Sequence, residues 1–400
     1  MIYQFKNNKN LIYLFWGQLI SFAGDSIYMI ALPWLILDIT NSSTTTALVT
    51  MSSYLPTLIF GIFAGAIVDR YSKKKIMIVS DTLRLLIALL FPILILSGFK
   101  STLLLGILAF SMSLSGIPFY PARDSLVPLI VSEKKLTSAN SIITISAQLA
   151  HIIGPFFAGI LVTVIEIVHL FTFDAITFLL SILFINQIKE KHTKIKTSDL
   201  KTNELLWGGF KYLKENKGLS ILLYITIINN FFIMGPAIIG VPVFVKKILD
   251  NSFKTLGLME TSLAVGMMLG SFIVLKITQK ISIQFILIIG IIIDGITFLP
   301  FYWIESPNYS IFAMLIHGIG IPMITISRTL LIQKTVPKKI QGRIFTLFHM
   351  AVIGTSAISI SAVGIILDFI SIKILYLIFG IFAMSCSIIL FMSKKFLALK

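Results

Sequence analysis

The chain has 400 residues, of which 56% are apolar and 12% charged, and its formal net charge is +16. Soluble globular proteins carry about a quarter charged residues, so this composition excludes an ordinary soluble domain and indicates an integral membrane protein. Long apolar stretches favour spanning helices over a barrel, whose strands would show short alternating segments. The basic residues cluster in loops, as membrane topology requires, so no nucleic-acid partner is expected.

Hydropathy predicts twelve membrane-spanning helices, each near or above the ~20 residues that crossing requires. They are expected at about 11–37, 47–68, 76–98, 102–121, 140–165, 168–187, 219–245, 255–276, 281–303, 309–333, 342–367 and 372–393. Most of the 33 lysines and arginines fall in alternate loops and at the termini. Because such loops stay in the cytoplasm, both termini are expected on the inner side of a bacterial cytoplasmic membrane.

The longest polar stretch, 188–218, predicts a cytosolic linker between two six-helix bundles, 1–187 and 219–400. Four apolar residues of this linker share one face of a possible helix: Leu205, Leu206, Phe210 and Leu213. That pattern favours an interfacial helix on the inner leaflet, and a solvated tether is the alternative.

A charged turn separates the second and third predicted spans. It contains Gly65, Asp69, Arg70, Lys74 and Lys75. A turn this charged must lie at a membrane face, and its basic residues put it in the cytoplasm. The pattern resembles the loop between helices two and three of the major facilitator superfamily of secondary transporters, except that Ser72 stands where the superfamily has its second glycine.

The resemblance implies a role in gating. Asp69 would latch the two halves in the outward-facing state, beside an arginine at the inner end of span four, for which Arg123 is the candidate. A positive-inside loop without gating is the alternative. Asp81 and Arg84 lie three residues apart on one face of span three and are expected to extend this inner charge network.

Span five contains Gly154-Pro155-Phe156-Phe157-Ala158-Gly159, which resembles the Gly-Pro-x-x-Gly-Gly signature of facilitator antiporters. The resemblance implies an exporter sealed against leak, whereas an ordinary proline kink is the alternative. Other segments resemble the facilitator branch that includes macrolide efflux proteins and the enterobactin exporter. They are Trp16 to Ser21, Gly24 to Ser26, Ala139-Asn140 and Asp174 to Phe178.

Three carboxylates within predicted spans are candidates for coupling transport to protons: Asp25, Glu260 and Asp294. Charges inside a membrane are costly and usually face a cavity or a partner. Asp25 is preferred, because span one lines the cavity in the fold that the resemblance implies, and a structural hydrogen-bond acceptor is its alternative. Glu260 is the second choice, and for Asp294 a structural role is favoured over coupling. His151 is a further candidate as a proton relay, with ordinary packing as its alternative. Candidate cavity residues are Phe22, Gln148, Phe231 and Phe232.

These observations lead to an expected function: proton-coupled export of hydrophobic or amphipathic drugs, macrolide-like compounds foremost, by a monomer in the lipid bilayer. A dedicated exporter of a native metabolite, such as a siderophore or peptide, and a non-transporting receptor on the same fold are the alternatives. No enzymatic activity and no cofactor are expected. The single cysteine, Cys386, allows no internal disulfide and no cysteine metal site, and no P-loop sequence occurs.

Overall fold

Every regular element of the computed structural model is helical over the residues that it describes, which are 8–61, 68, 70–132, 136–190 and 202–399. Several helices begin where a polar side chain caps the first turn. The side chains of Asn8, Ser101 and Asn216 each accept the backbone N–H three residues further on. The all-helical fold class predicted from hydropathy is confirmed.

The helices of the first half are α1 (Lys9–Thr40), α2 (Ser43–Ser52), α3 (Leu55–Phe60), α4 (Lys73–Leu96), α5 (Thr102–Gly116), α6 (Phe119–Ile130), α7 (Leu136–Leu161) and α8 (His169–Asn186). Those that follow are α9 (Thr202–Glu215), α10 (Lys217–Gly235), α11 (Val241–Lys247), α12 (Phe253–Ile277), α13 (Ile283–Ile296), α14 (Pro307–Thr335), α15 (Lys338–Ile366), α16 (Ile372–Met392) and α17 (Lys394–Leu397). A π-helical turn, Pro236–Gly240, joins α10 to α11, and a 3-10 turn, Leu299–Tyr302, follows α13.

Eleven helical segments in the described part of the chain are long and apolar enough to cross a membrane. The predicted second span, 47–68, is not among them, because a turn at Ser53 and Tyr54 separates α2 from α3 and residues 62–67 lie outside the described ones. Pro56 has no N–H to donate to the turn before it, which explains why the helix stops and restarts here. The count of twelve helices and the side on which the termini lie therefore stay predictions.

The chain divides into two compact units. Unit 1 takes in Met1–Asn41 and Val49–Ser198, and unit 2 takes in Ser42–Leu48 and Asp199–Lys400, each over its described residues. In unit 1, α1 packs against α7 and α8, and α8 also packs against α4. In unit 2, α14 packs against α12 and α13, and α10 packs against α15 and α16. The bundle boundaries expected near 187 and 219 remain a prediction.

The polar stretch after the first half contains a helix, α9, at Thr202–Glu215. Leu213 is buried in the core of unit 2, whereas Phe210, expected on the same face, is exposed. Gly209 brings α9 against α15, since a Cβ at this glycine would lie 2.9 Å from a methyl carbon of Leu347. The side chains of Leu205 and Leu206 lie outside the described part, and the contact with the inner leaflet stays a prediction.

Two helices of unit 2 approach so closely that only glycine fits between them. A Cβ at Gly318 of α14 would lie 2.2 Å from the carbonyl oxygen of Leu263 on α12. A Cβ at Gly266 of α12 would lie 2.1 Å from the carbonyl oxygen of Leu315 on α14. Both distances are shorter than real Cβ contacts, so small residues are required here, as is usual where membrane helices pack on their backbones.

Replacing Gly318 with alanine should therefore force α12 and α14 apart. We expect Gly318→Ala to lower the free energy of unfolding by about 1–3 kcal/mol, the usual cost of overpacking. The measurement is the thermal unfolding midpoint of the detergent-solubilised protein. Gly342→Ala is the control, because a Cβ there meets no described atom within 4 Å. Equal midpoints for the two variants would contradict the close crossing.

Candidate functional site

Unit 1 contains a buried cluster of charged side chains from α1 and α4. Nη1 of Arg84 lies 3.1 Å from Oδ1 and 3.0 Å from Oδ2 of Asp25, and Nη2 donates to Oδ1 of Asp81. The second carboxylate oxygen of Asp81 accepts a 2.7 Å hydrogen bond from the Ser181 hydroxyl on α8. The sequence pattern links Asp81 only with Arg84, and the structure joins both to Asp25.

Aromatic rings hold the guanidinium of Arg84 in place. Its central carbon lies 4.9 Å from the ring centroid of Phe119 on α6 and 4.4 Å from that of Phe178 on α8. Both phenylalanines are fully buried. Cation–π contacts of this kind strengthen when water is excluded, and they fix the plane in which the guanidinium can meet carboxylates.

The cluster is unbalanced in charge. With all three groups ionised, two carboxylates share one guanidinium, which leaves one negative charge among buried side chains near the middle of α1 and α4. A bare charge in such surroundings is costly, and binding one proton would make the cluster neutral. The side chain of Asp25 is 24% exposed and that of Asp81 is 0% exposed, so Asp25 is the more accessible carboxylate.

Asp174 lies at the crossing of α1 and α8, next to this cluster. A Cβ at Gly24 would lie 2.4 Å from Oδ1 of Asp174 and 2.1 Å from the Thr177 hydroxyl oxygen. Glycine at position 24 therefore lets α1 approach α8 immediately before Asp25. Oδ2 of Asp174 is buried and accepts no hydrogen bond from the described residues.

The Gly-Pro segment of span five forms the other close contact of α1. A Cβ at Gly154 would lie 2.6 Å from the carbonyl oxygen of Ala23 and 2.7 Å from the Cβ of Ser26. This crossing brings Nδ1 of His151 to 3.2 Å from the Ser26 hydroxyl, one residue after Asp25. Pro155 and Gly159 are buried, and Gln148 is exposed.

The remaining cavity candidates lie in aromatic clusters. Phe22 stacks on Tyr120, with ring centroids 5.6 Å apart, and the Arg123 guanidinium carbon lies 5.8 Å from the Phe22 centroid. In unit 2, Phe231 and Phe232 both contact Phe379 of α16. Whether any of these rings lines a substrate cavity stays a prediction.

Arg123 forms an ion pair with its neighbour Asp124, from Nη2 to Oδ1 at 2.8 Å. Its expected partner Asp69, and Gly65 of the same turn, lie outside the described residues. Arg70 and Lys75 are exposed, and Nζ of Lys74 donates to the Asn186 carbonyl oxygen at 2.6 Å. The latch expected between Asp69 and Arg123 therefore remains a prediction.

The start of α4 has a cap that the sequence analysis did not anticipate. Ser72, which stands in place of a glycine, is the N-cap residue and accepts from the Lys75 N–H at 3.2 Å. The carboxylate of Glu190, beyond the end of α8, accepts from the Lys73 N–H at 3.0 Å and from the Ser72 hydroxyl. A carboxylate at a helix N-terminus is electrostatically favourable. Serine before a helix is a readable signal, but Glu190 is 118 residues away.

Unit 2 contains the other two candidate carboxylates. Glu260 is half-buried on α12. Asp294, on α13, accepts a 3.2 Å hydrogen bond from Asn229 of α10, and its other oxygen lies 3.5 Å from Nε2 of His317 on α14. Among the described residues, no group of three or more histidine, cysteine, aspartate or glutamate side chains could hold a metal ion.

Removing the guanidinium should leave the buried carboxylate of Asp81 and the partly buried carboxylate of Asp25 without a counter-charge. We expect Arg84→Gln to destabilise the protein by about 3–5 kcal/mol, measured as a lower thermal unfolding midpoint in detergent. The double variant Asp25→Asn with Arg84→Gln should recover part of that loss. Arg70→Gln is the control, because Arg70 is exposed. An Arg84→Gln variant as stable as Arg70→Gln would contradict the ion-pair cluster.

Removing the carboxylate cap should loosen the first turn of α4. We expect Glu190→Gln to lower the free energy of opening the first turn of α4 by about 1 kcal/mol. This corresponds to roughly fivefold faster hydrogen exchange at the backbone amides of 73–76. The exchange is measured by mass spectrometry of the peptides that cover this turn. Glu215→Gln, an exposed position at the end of α9, is the control. Unchanged exchange in Glu190→Gln would show that the negative charge of this cap contributes nothing to this helix end.

Comparison with known proteins agrees with this architecture. The sequence profile of the Major Facilitator Superfamily matches residues 14–360. Macrolide efflux protein A of Streptococcus pyogenes is 25% identical over 362 residues, covering 86% of each chain. The multidrug efflux pump Tap of Mycolicibacterium fortuitum is 24% identical over 375 residues, covering 89% of this chain and 88% of that protein.

A solved structure shares the fold. The crystal structure of the nucleoside transporter NupG matches with a TM-score of 0.78 over 96% of this chain and 99% of that chain, at 13% identity. Identity this low supports the fold alone. The family match covers most of the chain and agrees with its apolar helices and its buried charges. The chain therefore belongs to the Major Facilitator Superfamily and is a multi-pass membrane transporter.

Proposed function

We propose that this transporter exports hydrophobic or amphipathic small molecules across a bacterial cytoplasmic membrane, in exchange for protons that bind the cluster of Asp25, Arg84 and Asp81. The observation that carries the proposal is the sharing of one buried guanidinium by two carboxylates. Because the cluster has one surplus negative charge, it is a site that a proton or a cationic substrate can neutralise.

Asp25 is the member of the cluster that exchanges its ligand. It is the more exposed carboxylate, whereas Asp81 is fully buried and also accepts from Ser181. A cationic amphipathic compound at Asp25 would find aromatic surface nearby, because Phe22 lies one helical turn away and stacks on Tyr120. Since the proton and the cation would neutralise the same carboxylate, the arrival of one favours the departure of the other.

Protonation of Asp25 would weaken its two hydrogen bonds with Nη1 of Arg84, because a neutral carboxyl group attracts a guanidinium less strongly. Arg84 would keep its bond to Asp81 and its contacts with Phe119 and Phe178. The change would therefore act on the link between α1 and α4. Alternating access in secondary transporters moves one bundle against the other around a fixed site, and we propose that the link between α1 and α4 makes this motion depend on the bound ligand.

The substrate class rests on the relatives. Two proteins that match this chain over most of its length are named for macrolide efflux and for multidrug efflux. Both names fit a transporter of large, mainly apolar compounds. The helix crossings at Gly24 and Gly154 hold α1 against α8 and α7 near Asp25. The transporter is proposed to act as a monomer.

The test is drug accumulation in a sensitive bacterium that lacks its main efflux pumps. We expect expression of the wild-type chain to lower the accumulation of labelled erythromycin, and we expect an uncoupler to cancel this effect. Asp25→Asn should abolish the uncoupler-sensitive efflux because the variant cannot exchange a proton at this position. Glu166→Gln, which removes an exposed carboxylate, is the control and should transport as the wild type does.

Three results would reject parts of the proposal. Efflux that persists with the uncoupler would reject proton coupling, and wild-type efflux by Asp25→Asn would reject the cluster as the coupling site. Unchanged accumulation of erythromycin on expression of the wild-type chain would reject macrolides as substrates and would favour a dedicated exporter of a native metabolite.

A further inference from the structure

Unit 2 has a buried polar cluster of its own, built on α10, α13 and α14. Oδ1 of Asp294 lies 3.5 Å from Nε2 of His317, and Oδ2 accepts from Nδ2 of Asn229 at 3.2 Å. The other ring nitrogen of His317, Nδ1, lies 2.8 Å from the Thr297 hydroxyl. The side chains of Asp294 and His317 are 4% and 2% exposed.

The contacts of Thr297 are compatible with a tautomer of His317 that carries its hydrogen on Nδ1. Its hydroxyl lies 2.8 Å from the Ile293 carbonyl oxygen, the usual acceptor for a threonine within a helix. A hydroxyl has one proton, and once this proton is donated to the carbonyl the oxygen can only accept. In that arrangement Nδ1 of His317 donates to Thr297, and Nε2 of the neutral ring has a lone pair.

That lone pair faces another acceptor. Nε2 of His317 is directed toward Oδ1 of Asp294, and this oxygen is buried and accepts no hydrogen bond from the described residues. Oδ1 of Asn229 is likewise buried and without a hydrogen bond from them. Buried polar atoms in proteins are normally paired, so two facing acceptors mark a place for a missing donor.

We propose that Asp294 and His317 together bind one exchangeable proton, held between Oδ1 and Nε2, and so form a second proton-binding site of the transporter. One proton converts two opposed acceptors into a donor and an acceptor, whichever of the two atoms carries it. No bond other than the N–H or O–H bond to this proton forms or breaks.

The surroundings suit a proton better than a hydrated ion. The ring of Phe298 stacks on His317, with centroids 4.8 Å apart and an interplanar angle of 18°. A Cβ at Gly320 of α14 would lie 2.9 Å from Ile293 Cγ2, next to Asp294, so α13 and α14 already touch here. Hard cations take six or more oxygen ligands, and the described residues bring one carboxylate and one amide to this point.

The neighbouring helices contribute few other titratable groups. From α16, the Tyr376 hydroxyl donates to the Pro236 carbonyl oxygen at 3.2 Å, and Cys386 is buried further along the same helix. From α12, which packs on α14, Glu260 is half-buried. From α10, the group facing Asp294 is the neutral amide of Asn229. His317 is thus the titratable group in contact with Asp294 among the described residues.

The site is connected to a second pair of helices. Asn229, which donates to Asp294, is followed on α10 by Asn230, whose Nδ2 donates at 3.0 Å to both the Val352 carbonyl oxygen and the Ser356 hydroxyl of α15. A change in the charge of Asp294 therefore alters the hydrogen bond of a residue adjacent to the α10–α15 contact. The role of the Asp294–His317 site in transport rests on the proposed function, whereas the binding of a proton at this site does not.

The test measures proton binding by the purified protein without a substrate. Infrared difference spectra of the wild type over a pH series should contain carboxylic-acid C=O absorption that disappears as pH rises. The component that comes from Asp294 should be missing in Asp294→Asn, whereas any component from Asp25 should remain. His317→Gln should keep the band but shift its titration midpoint by about one pH unit or more, a tenfold change in proton affinity. His349→Gln, an exposed histidine on α15, is the control and should titrate as the wild type does.

Several outcomes would overturn the inference. Spectra of folded Asp294→Asn identical to those of the wild type would show that Asp294 does not titrate, and a wild-type midpoint in His317→Gln would show that the two side chains bind no common proton. A band that sodium ions remove at constant pH would identify a cation site instead. If Asp294→Asn does not fold, the test is the titration midpoint of the C=O band in His317→Gln compared with that in His349→Gln. Equal midpoints would reject the shared proton. The infrared titration uses no drug, so its outcome does not depend on whether the protein exports erythromycin. A failure of the export assay would reject the proposed function and leave this inference standing.

Discussion

A guanidinium cannot remain in hydrocarbon unless its partners accompany it, and Arg84 meets this condition with side chains from four helices. Asp81 comes from its own helix, Asp25 from α1, and the two aromatic rings come from α6 and α8. Much of unit 1 is arranged around this requirement. The close approaches of α1 to α7 and α8 bring the carboxylate of Asp25 into the reach of Arg84, and they depend on glycines at the two points of crossing.

The two units solve the problem of a buried acid in different ways. In unit 1 the counter-charge is a permanent cation, so the cluster is never without a positive partner. In unit 2 the partner is an imidazole, which is neutral or charged depending on its proton. Arginine stays charged over the physiological pH range, so the ion pairs of the first arrangement change only with the charge of the carboxylates. In the second arrangement, the charge of either partner can change.

Hydropathy was sufficient to predict eleven membrane-crossing helices in the described part of the chain, because a continuous apolar stretch of this length has few other stable forms in a membrane. The predicted span 47–68 is instead interrupted at Ser53 and Tyr54. The acids Asp25, Asp81 and Asp294 were visible as exceptions within those stretches. Their partners were not, since hydropathy does not determine how each helix is rotated about its axis. Asp25 and Arg84 are 59 residues apart, and only packing could join them. Ser72 was noticed as a departure from a pattern, but its role as a helix cap needs the geometry of Glu190.

The interactions of Arg84 connect two sets of helices in unit 1, α4 with α6 and α8 on one side and α1 on the other. Asp81 and Ser181 tie α4 to α8, and the rings on α6 and α8 enclose the same guanidinium, so these three helices form a frame. The ion pair between Asp25 and Nη1 of Arg84 attaches α1 to that frame, whereas Nη2 of Arg84 pairs with Asp81 inside the frame. In the proposed exchange, a proton on Asp25 would loosen α1 from this frame and would leave α4, α6 and α8 tied together.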